Sequence, residues 1–180
     1  NRKIVQGLIN DLKISEEKQI KVIRAIDKLD KPGFGLKGVE DLLKKERKDQ
    51  SGAVTKGADL TNDQAAQILN FLKIKDLKEL KQILKNPLSQ EGIKELEDVF
   101  EILGYGSNLK QVKSNFTIVR GLAYYSDFIV ETNLNFKVTN NKGKEVDIGS
   151  VCSGGAYAKL ISRFRGVDVP GTGISFGVDR

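Results

Sequence analysis

Arg120 is the side chain whose surroundings most demand an explanation. It interrupts the apolar run "TIVRGLAYYSDFIVETNL" that starts at Thr117, with Gly121 directly after it and Tyr124 and Tyr125 close behind. A permanent cation in such a run must be paired or must face a cleft, because an isolated buried charge is strongly disfavoured even after the surroundings relax. Two readings stay open at this point. Arg120 can form a structural ion pair with Asp127, Glu131 or Asp147. Alternatively it holds an anionic ligand, since the planar guanidinium fork matches a carboxylate or phosphate and Gly121 lets a ligand approach the backbone. Neighbouring tyrosines on a strand point to opposite faces, so one of Tyr124 and Tyr125 can pack in the core while the other lines a pocket. Tyrosine suits a pocket wall because it joins an aromatic surface to a polar tip, although plain packing is the blander account.

A second cluster of interest lies in "GSVCSGGAYAKL" and "PGTGISFGVDR", where glycines recur between Gly149 and Gly177. No Gly-Lys-Ser/Thr follows them and no strand-G-x-G-x-x-G-helix unit is present, which excludes a P-loop and a dinucleotide fingerprint. Tight turns explain such glycines in the simplest way. A sharper reading is a floor without side chains beneath a flat ligand, with Arg180 at its edge to stack on a purine ring or touch phosphate.

Composition narrows the chemistry further. The chain has no histidine, which removes triads, most zinc sites and most neutral-pH proton shuttles, and leaves arginines, carboxylates, tyrosines and backbone amides. Cys152 is the single cysteine, so it has no partner for a disulfide within this sequence and reads as a small buried core residue. A formal charge of +6 fits an anionic partner such as a nucleotide or nucleic acid, while most of the lysines cover solvated helix faces. With 39% hydrophobic and 30% charged residues over 180 positions, the chain is globular rather than disordered. No run of about 18 apolar residues occurs and the opening "NRKIVQGLINDLKI" has no signal-peptide pattern, so the expectation is a soluble, cytoplasmic protein without membrane contact.

The elements that must position these residues fall into two patterns. Up to about residue 106 the apolar spacing is helical and predicts five or six short helices. Ser15 is a candidate N-cap before "EEKQIKVIRAIDKLD", with an apolar stripe of Ile20, Val22, Ile23, Ile26 and Leu29. Thr61 with Gln64 and Asp76 with Glu79 have capping-box spacing, Asn86-Pro87 ends a helix, and "SQEGIKELEDVFEILGYG" puts Ile93, Leu96, Phe100 and Leu103 on one face with Gly104 as C-terminal cap. "KPGFGLKG" and "KDQSGAVTKGAD" read as loops. From residue 107 onward, "FTIVRGL", "YYSDFIVETNLNFKV", "EVDIGSVCS" and "GTGISFGVDR" read as strands, "TNNKGK" as a hairpin turn, and "GGAYAKLISRF" as a helix opened by Gly154 and Gly155. The fold class expected is α+β: a helical block, 1–106, followed by a mainly antiparallel sheet, 107–180.

"VRGLAYYSDFIVE", "GSVCSGGAYAKL" and "GTGISFGVDR", in this order, resemble the two histidine-specific blocks and motif 3 of the histidyl-tRNA synthetases, a class II family. "NRKIVQGLI", "AIDKLDK" and "SQEGIKELEDVFEIL" resemble the segment after motif 2 and the family's helical insertion. The resemblance covers nearly the whole chain and implies a helical insertion followed by the C-terminal part of a class II catalytic sheet. It also implies an activity. The carboxylate of histidine attacks the α-phosphate of ATP in line, pyrophosphate leaves, and the histidyl group passes from the adenylate to tRNA(His). By the same resemblance Arg120 is the catalytic arginine, beside both the amino-acid carboxylate and the α-phosphate. Tyr124, Tyr125 and Tyr157 contact histidine, Gly154 and Gly155 belong to the nucleotide site, and Arg180 contacts ATP. ATP with magnesium, a homodimer of the intact protein and tRNA lying near the insertion are further implications, although no metal-ligand cluster is evident in the sequence.

Departures from the family pattern bear on activity. The second block commonly reads Gly-Gly-Arg-Tyr-Asp, whereas Ala156 and Ala158 flank Tyr157 here, removing a cation and a carboxylate. Ala123 replaces a residue that is often acidic, and "SDF" stands where a Thr-Gly pair is common. By the family's order, motifs 1 and 2 would lie before Asn1 and the anticodon-binding domain after Arg180, so these 180 residues alone are expected to be inactive. The alternative is a non-catalytic, synthetase-like regulatory domain that binds histidine or uncharged tRNA.

Overall fold

The computed structural model describes residues 1–48, 52, 54–104, 111–120 and 125–178, the side chains of 159 and 163 excepted. It is an α+β structure of two compact units, Asn1–Leu122 and Ala123–Arg180. Six helices precede residue 105: α1 (Arg2–Asp11), α2 (Glu16–Ile26), α3 (Gly35–Lys44), α4 (Asn62–Phe71), α5 (Leu77–Ile83) and α6 (Pro87–Gly104).

Local chemistry accounts for where these helices start. Thr61 and Gln64 complete a reciprocal capping box, each side chain bonded to the other's backbone. Asp76 accepts from the amides of Lys78 and Glu79 and so caps α5. Asn86 accepts from the Leu88 amide at 3.0 Å, and Pro87 then occupies the first position of α6, so the Asn-Pro pair opens a helix as well as closing the one before. Ser15 sits at the N-cap of α2 but makes no side-chain capping bond. The buried stripe of α2 is Val22, Ala25 and Ile26, spaced by three and four, and Ile20 lies off it with 58% of its surface exposed. Two segments expected as loops carry structure. "GFGLKG" enters α3, and "KDQSGAVTKGAD" overlaps an antiparallel pair of β1 (Glu46–Lys48) and β2 (Val54–Lys56), whose charged, exposed residues give no apolar alternation to read.

The closest packing in this unit joins α1 to α6. Ser89 is fully buried and its hydroxyl donates to the carbonyl of Ile4 at 3.0 Å. Gly7 and Gly92 let the two backbones approach: a Cβ on Gly7 would lie 2.1 Å from Ser89 Oγ, and one on Gly92 would lie 2.9 Å from Lys3 Cβ. Polar contacts lock the same face. Asn1 Nδ2 donates to Glu95 Oε2 at 2.6 Å, Lys3 pairs with Glu91 at 2.7 Å and also with Glu95, and Asn86 Nδ2 donates to Asp11 at 2.7 Å.

Phe116 and Val119 belong to the same core as Ile4, Ile26, Leu43, Ile68 and Ile93. The compact units divide at 122/123, so Phe116 and Val119, although they follow the change in residue pattern at 106/107, pack with the helices.

In the second unit β3 (Ile129–Asn133), β6 (Ser150–Ala156) and β7 (Thr172–Phe176) form an antiparallel sheet in the order β3-β6-β7. Between β3 and β6, the strands β4 (Val138–Thr139) and β5 (Glu145–Val146) make a hairpin around the "TNNKGK" turn. Asn140 accepts from the amides of Lys142 and Lys144, and Gly143 adopts φ +72°, which glycine tolerates without strain. One more helix, α7 (Ala158–Arg165), ends at Gly166 in the left-handed conformation. Gly154 and Gly155 do not open it; they lie inside β6, which stays paired to β7 as far as Ala156.

Gly7→Ala is expected to lower folding stability by about 1–3 kcal/mol, the usual cost of overpacking a tight contact. A urea titration would show this as a lower midpoint with an unchanged slope; an unchanged midpoint would refute the close-approach argument.

Candidate functional site

The segment leading to Arg120 is not a strand. Residues 116–117 form a turn, with the Asn115 carboxamide oxygen accepting from the Thr117 amide at 2.9 Å and from its hydroxyl at 2.6 Å. Phe116, Thr117 and Val119 are buried, so the aromatic and β-branched residues that suggested a strand are satisfied by the helical core instead. Arg120 itself is half-buried, with a backbone φ of +44°. A non-glycine residue rarely adopts this left-handed conformation unless its surroundings impose it. Arg2 at the start of α1 meets this segment, its Nη1 donating to the carbonyls of Val119 at 3.1 Å and Arg120 at 2.9 Å. Burial pushes the Arg2 guanidinium below its ordinary pKa, and Asp27 opposes that shift.

In the second unit the sheet brings Tyr125, Tyr157 and Gly155 to one face. Gly155 is paired with Gly173 across β6 and β7, and directly opposed residues project to the same side. A Cβ on Gly155 would lie 3.0 Å from the Tyr125 ring; one on Gly173 would lie 2.5 Å from the Tyr157 hydroxyl, and one on Gly171 3.0 Å from the Tyr157 ring. Both tyrosines thus lie against bare glycine backbone on one side of the sheet. Register adds Glu131 and Ser153, a cross-strand pair two positions from Gly155, and Ser175 opposite Ser153, to this side, which also carries Ile129 opposite Gly155. The other side bears Val130, Cys152, Ile174 and Phe176, of which Cys152 is buried while Ile174 and Phe176 are 57% and 68% exposed.

Short backbone bonds hold the tyrosines in place. The Ser126 amide donates to the Ala156 carbonyl at 2.9 Å and the Ala156 amide to Phe128 at 3.0 Å, which fixes the residue after Tyr125 to the end of β6. The Tyr157 amide donates to Gly171 at 2.8 Å, and Tyr157 then serves as the N-cap residue of α7. Gly154 is required by strand packing, because a Cβ there would lie 2.2 Å from the Gly173 carbonyl oxygen.

Arg120 belongs to the first unit, and Tyr125, Gly154, Gly155 and Tyr157 to the second, while Tyr124 and Arg180 lie outside the described residues. Of the acids considered as ion partners for Arg120, Asp147 accepts from the Gly149 amide at 2.8 Å and Asp127 from the Ser126 hydroxyl at 2.5 Å. The residue pattern gives no place to Arg2 and offers Glu131 only as an ion partner. The alternation along β3 holds the signal for Glu131, whereas nothing local marks Arg2. Among the described residues no three His, Cys, Asp or Glu side chains converge as they would to hold a metal ion. No described helix is long and apolar enough to cross a membrane.

The glycine floor makes a graded expectation. Gly155→Ala forces a methyl group within 2.5 Å of the Phe128 carbonyl, which is backbone, whereas Gly173→Ala meets the end of a movable tyrosine. Denaturant titrations should therefore show the larger loss for Gly155→Ala, about 1–3 kcal/mol, with the smaller loss for Gly173→Ala. The reverse ranking would contradict this placement of Tyr157.

Comparison with known proteins agrees with the motif resemblance. The family model described as Histidyl-tRNA synthetase matches residues 1–180. The chain is 79% identical over its whole length to the histidine–tRNA ligase of Pelagibacter ubique (strain HTCC1062), covering 39% of that protein, and 42% identical over 192 aligned residues to that of Rhizobium leguminosarum bv. trifolii (strain WSM2304), covering 37%. It thus spans less than two-fifths of these relatives. The crystal structure of histidyl-tRNA synthetase from Nostoc sp. PCC 7120 superposes with a TM-score of 0.72 at 30% identity, over 98% of this chain and 38% of the other. An ATP phosphoribosyltransferase regulatory subunit/histidyl-tRNA synthetase from Bacillus halodurans C shares the fold, with a TM-score of 0.66 at 18% identity, over 96% of this chain and 39% of that one. By motif, fold and match over its full length, this chain belongs to the histidyl-tRNA synthetase family.

Proposed function

We propose that these residues are part of a histidine–tRNA ligase that activates histidine with ATP and transfers it to tRNA(His). The observation that carries this reading is the 79% identity over the entire chain to a histidine–tRNA ligase. In the proposed reaction a carboxylate oxygen of histidine attacks the α-phosphorus of ATP, the bond to the bridging oxygen breaks, and pyrophosphate leaves. A ribose hydroxyl of the tRNA terminus then attacks the adenylate carbonyl and releases AMP. Arg120 is assigned to the negative charge that grows on the α-phosphate oxygens, where a fixed cation lowers the barrier without reorganising. Its left-handed backbone supports that role, since strain of this kind persists where a residue must be aimed.

Tyr125 and Tyr157, with Tyr124, are assigned to the histidine side of the site. The shared face, with its glycine backbone beneath the rings, is what supports this assignment. Gly154, Gly155 and Arg180 are assigned to the ATP side. Magnesium would enter on the ATP phosphates and supply charge neutralisation there; no step above runs through a protein-bound ion. Residues 1–106 are proposed as the helical insertion near the tRNA acceptor end and 107–180 as the C-terminal part of the catalytic core. The whole protein is proposed to be a cytoplasmic homodimer.

Ala156 and Ala158 favour a second reading, a synthetase-like regulatory domain that binds histidine or uncharged tRNA without adenylation, because they remove a cation and a carboxylate beside Tyr157. Histidine-dependent ATP–pyrophosphate exchange by the full-length protein decides between the two. Exchange supports the ligase, and histidine binding by calorimetry without exchange supports the regulatory domain.

Arg120→Ala in the full-length protein is expected to slow exchange about a hundredfold or more, as loss of other charge stabilisers does. Normal exchange by that variant would remove Arg120 from the chemistry. The 180 residues alone, which span less than two-fifths of the relatives, are expected to show no exchange above background; measurable turnover would overturn that expectation.

A further inference from the structure

We propose that Arg2 is a positioning residue for Arg120, acting through the backbone rather than on substrate. The inference rests on the role given to Arg120 above. Arg2 and Arg120 are separated by 118 residues in sequence, yet Arg2 Nη1 donates to the Arg120 carbonyl at 2.9 Å and to the preceding Val119 carbonyl at 3.1 Å. These two carbonyls flank the dihedral that is turned to +44° at Arg120. A guanidinium suits this role, since its planar, charged fork holds acceptors at fixed angles and makes stronger bonds than a neutral donor.

The support beneath Arg2 is as constrained as the contact it makes. Arg2 is the first residue of α1, whose neighbouring residues Asn1, Lys3 and Ile4 are tied to α6 through Glu95, Glu91 and Ser89. On the other side of the contact, Phe116 and Val119 are sunk in the helical core and cannot follow a moving Arg120. Arg120 is therefore held between a buried anchor before it and a donated pair of bonds on its own peptide. Loss of Arg2 removes these two bonds and so weakens the hold on the left-handed region relative to the commoner right-handed or extended ones, which re-aims the side chain.

The test uses the full-length protein, with exchange rates expressed per folded active site. Arg2→Gln is expected to lower kcat for histidine-dependent ATP–pyrophosphate exchange on the order of tenfold or more, within the cost known for misplaced catalytic groups, while KM for histidine and ATP stays within about twofold. Arg2→Lys, which keeps the cation and loses the fork, should fall between Arg2→Gln and the parent. In an Arg120→Ala background, Arg2→Gln should cause no further loss, because a group acting only through Arg120 has nothing left to position. Three results overturn the proposal: parental kcat per folded site in Arg2→Gln, a shift confined to thermal stability, or an undiminished loss in the Arg120→Ala background. If Arg2→Gln fails to fold, Arg2→Lys decides alone, and an unchanged kcat in it is contrary. Normal exchange in Arg120→Ala would instead refute the role of Arg120, so the two failures are distinguishable.

Discussion

The close contact between α1 and α6 is the constraint on which the first unit depends. Gly7 and Gly92 allow the helices to meet backbone to backbone, and buried Ser89 bridges them through the Ile4 carbonyl. Nothing larger than glycine fits at either position without pushing the helices apart. Because the contact is so short, the start of α1 has little freedom, and Arg2 stands at that start. A long, flexible side chain can hold two carbonyls only if its own backbone does not wander, so helix packing sets the aim of a residue far away in sequence.

A related economy of side chains governs the second unit. Gly155 and Gly173 face each other across β6 and β7, and their missing side chains leave room for the rings of Tyr125 and Tyr157. Such glycines weaken a sheet, since they cost conformational entropy and pack poorly. Their presence in paired strands is accounted for by the rings that lie over them. The same strands turn Ile174 and Phe176 to the opposite face, where both are exposed.

Much of this was legible in the residues, and the exceptions have physical causes. The capping box at Thr61, the Asp76 cap and the hairpin around Gly143 are local interactions, written in residues three or four apart, and they form as expected. Val22, Ala25 and Ile26 show which face of α2 is buried, but Ile20 could be sorted from them only by fixing the angle of the stripe. The strand expected at "FTIVRGL" does not form over its described residues, 116–120, for a different reason. Val, Ile, Phe and Thr report a demand for burial, and under a helical core that demand is met without any strand partner. Gly154 and Gly155 suggested a helix start because glycine interrupts patterns; only pairing on both sides shows that β6 runs through them.

What the sequence by itself determined is the family, the α+β class, the capped helix starts at Thr61 and Asp76 and the cation at Arg120, because motif, period and capping are local or are matched position by position. What only the tertiary structure decided is how that cation is held. The left-handed turn at Arg120, the carbonyls taken by Arg2 and the shared face of Tyr125 and Tyr157 all join residues far apart in the chain. Such contacts are set by packing density and strand register, which no short stretch of residues encodes on its own.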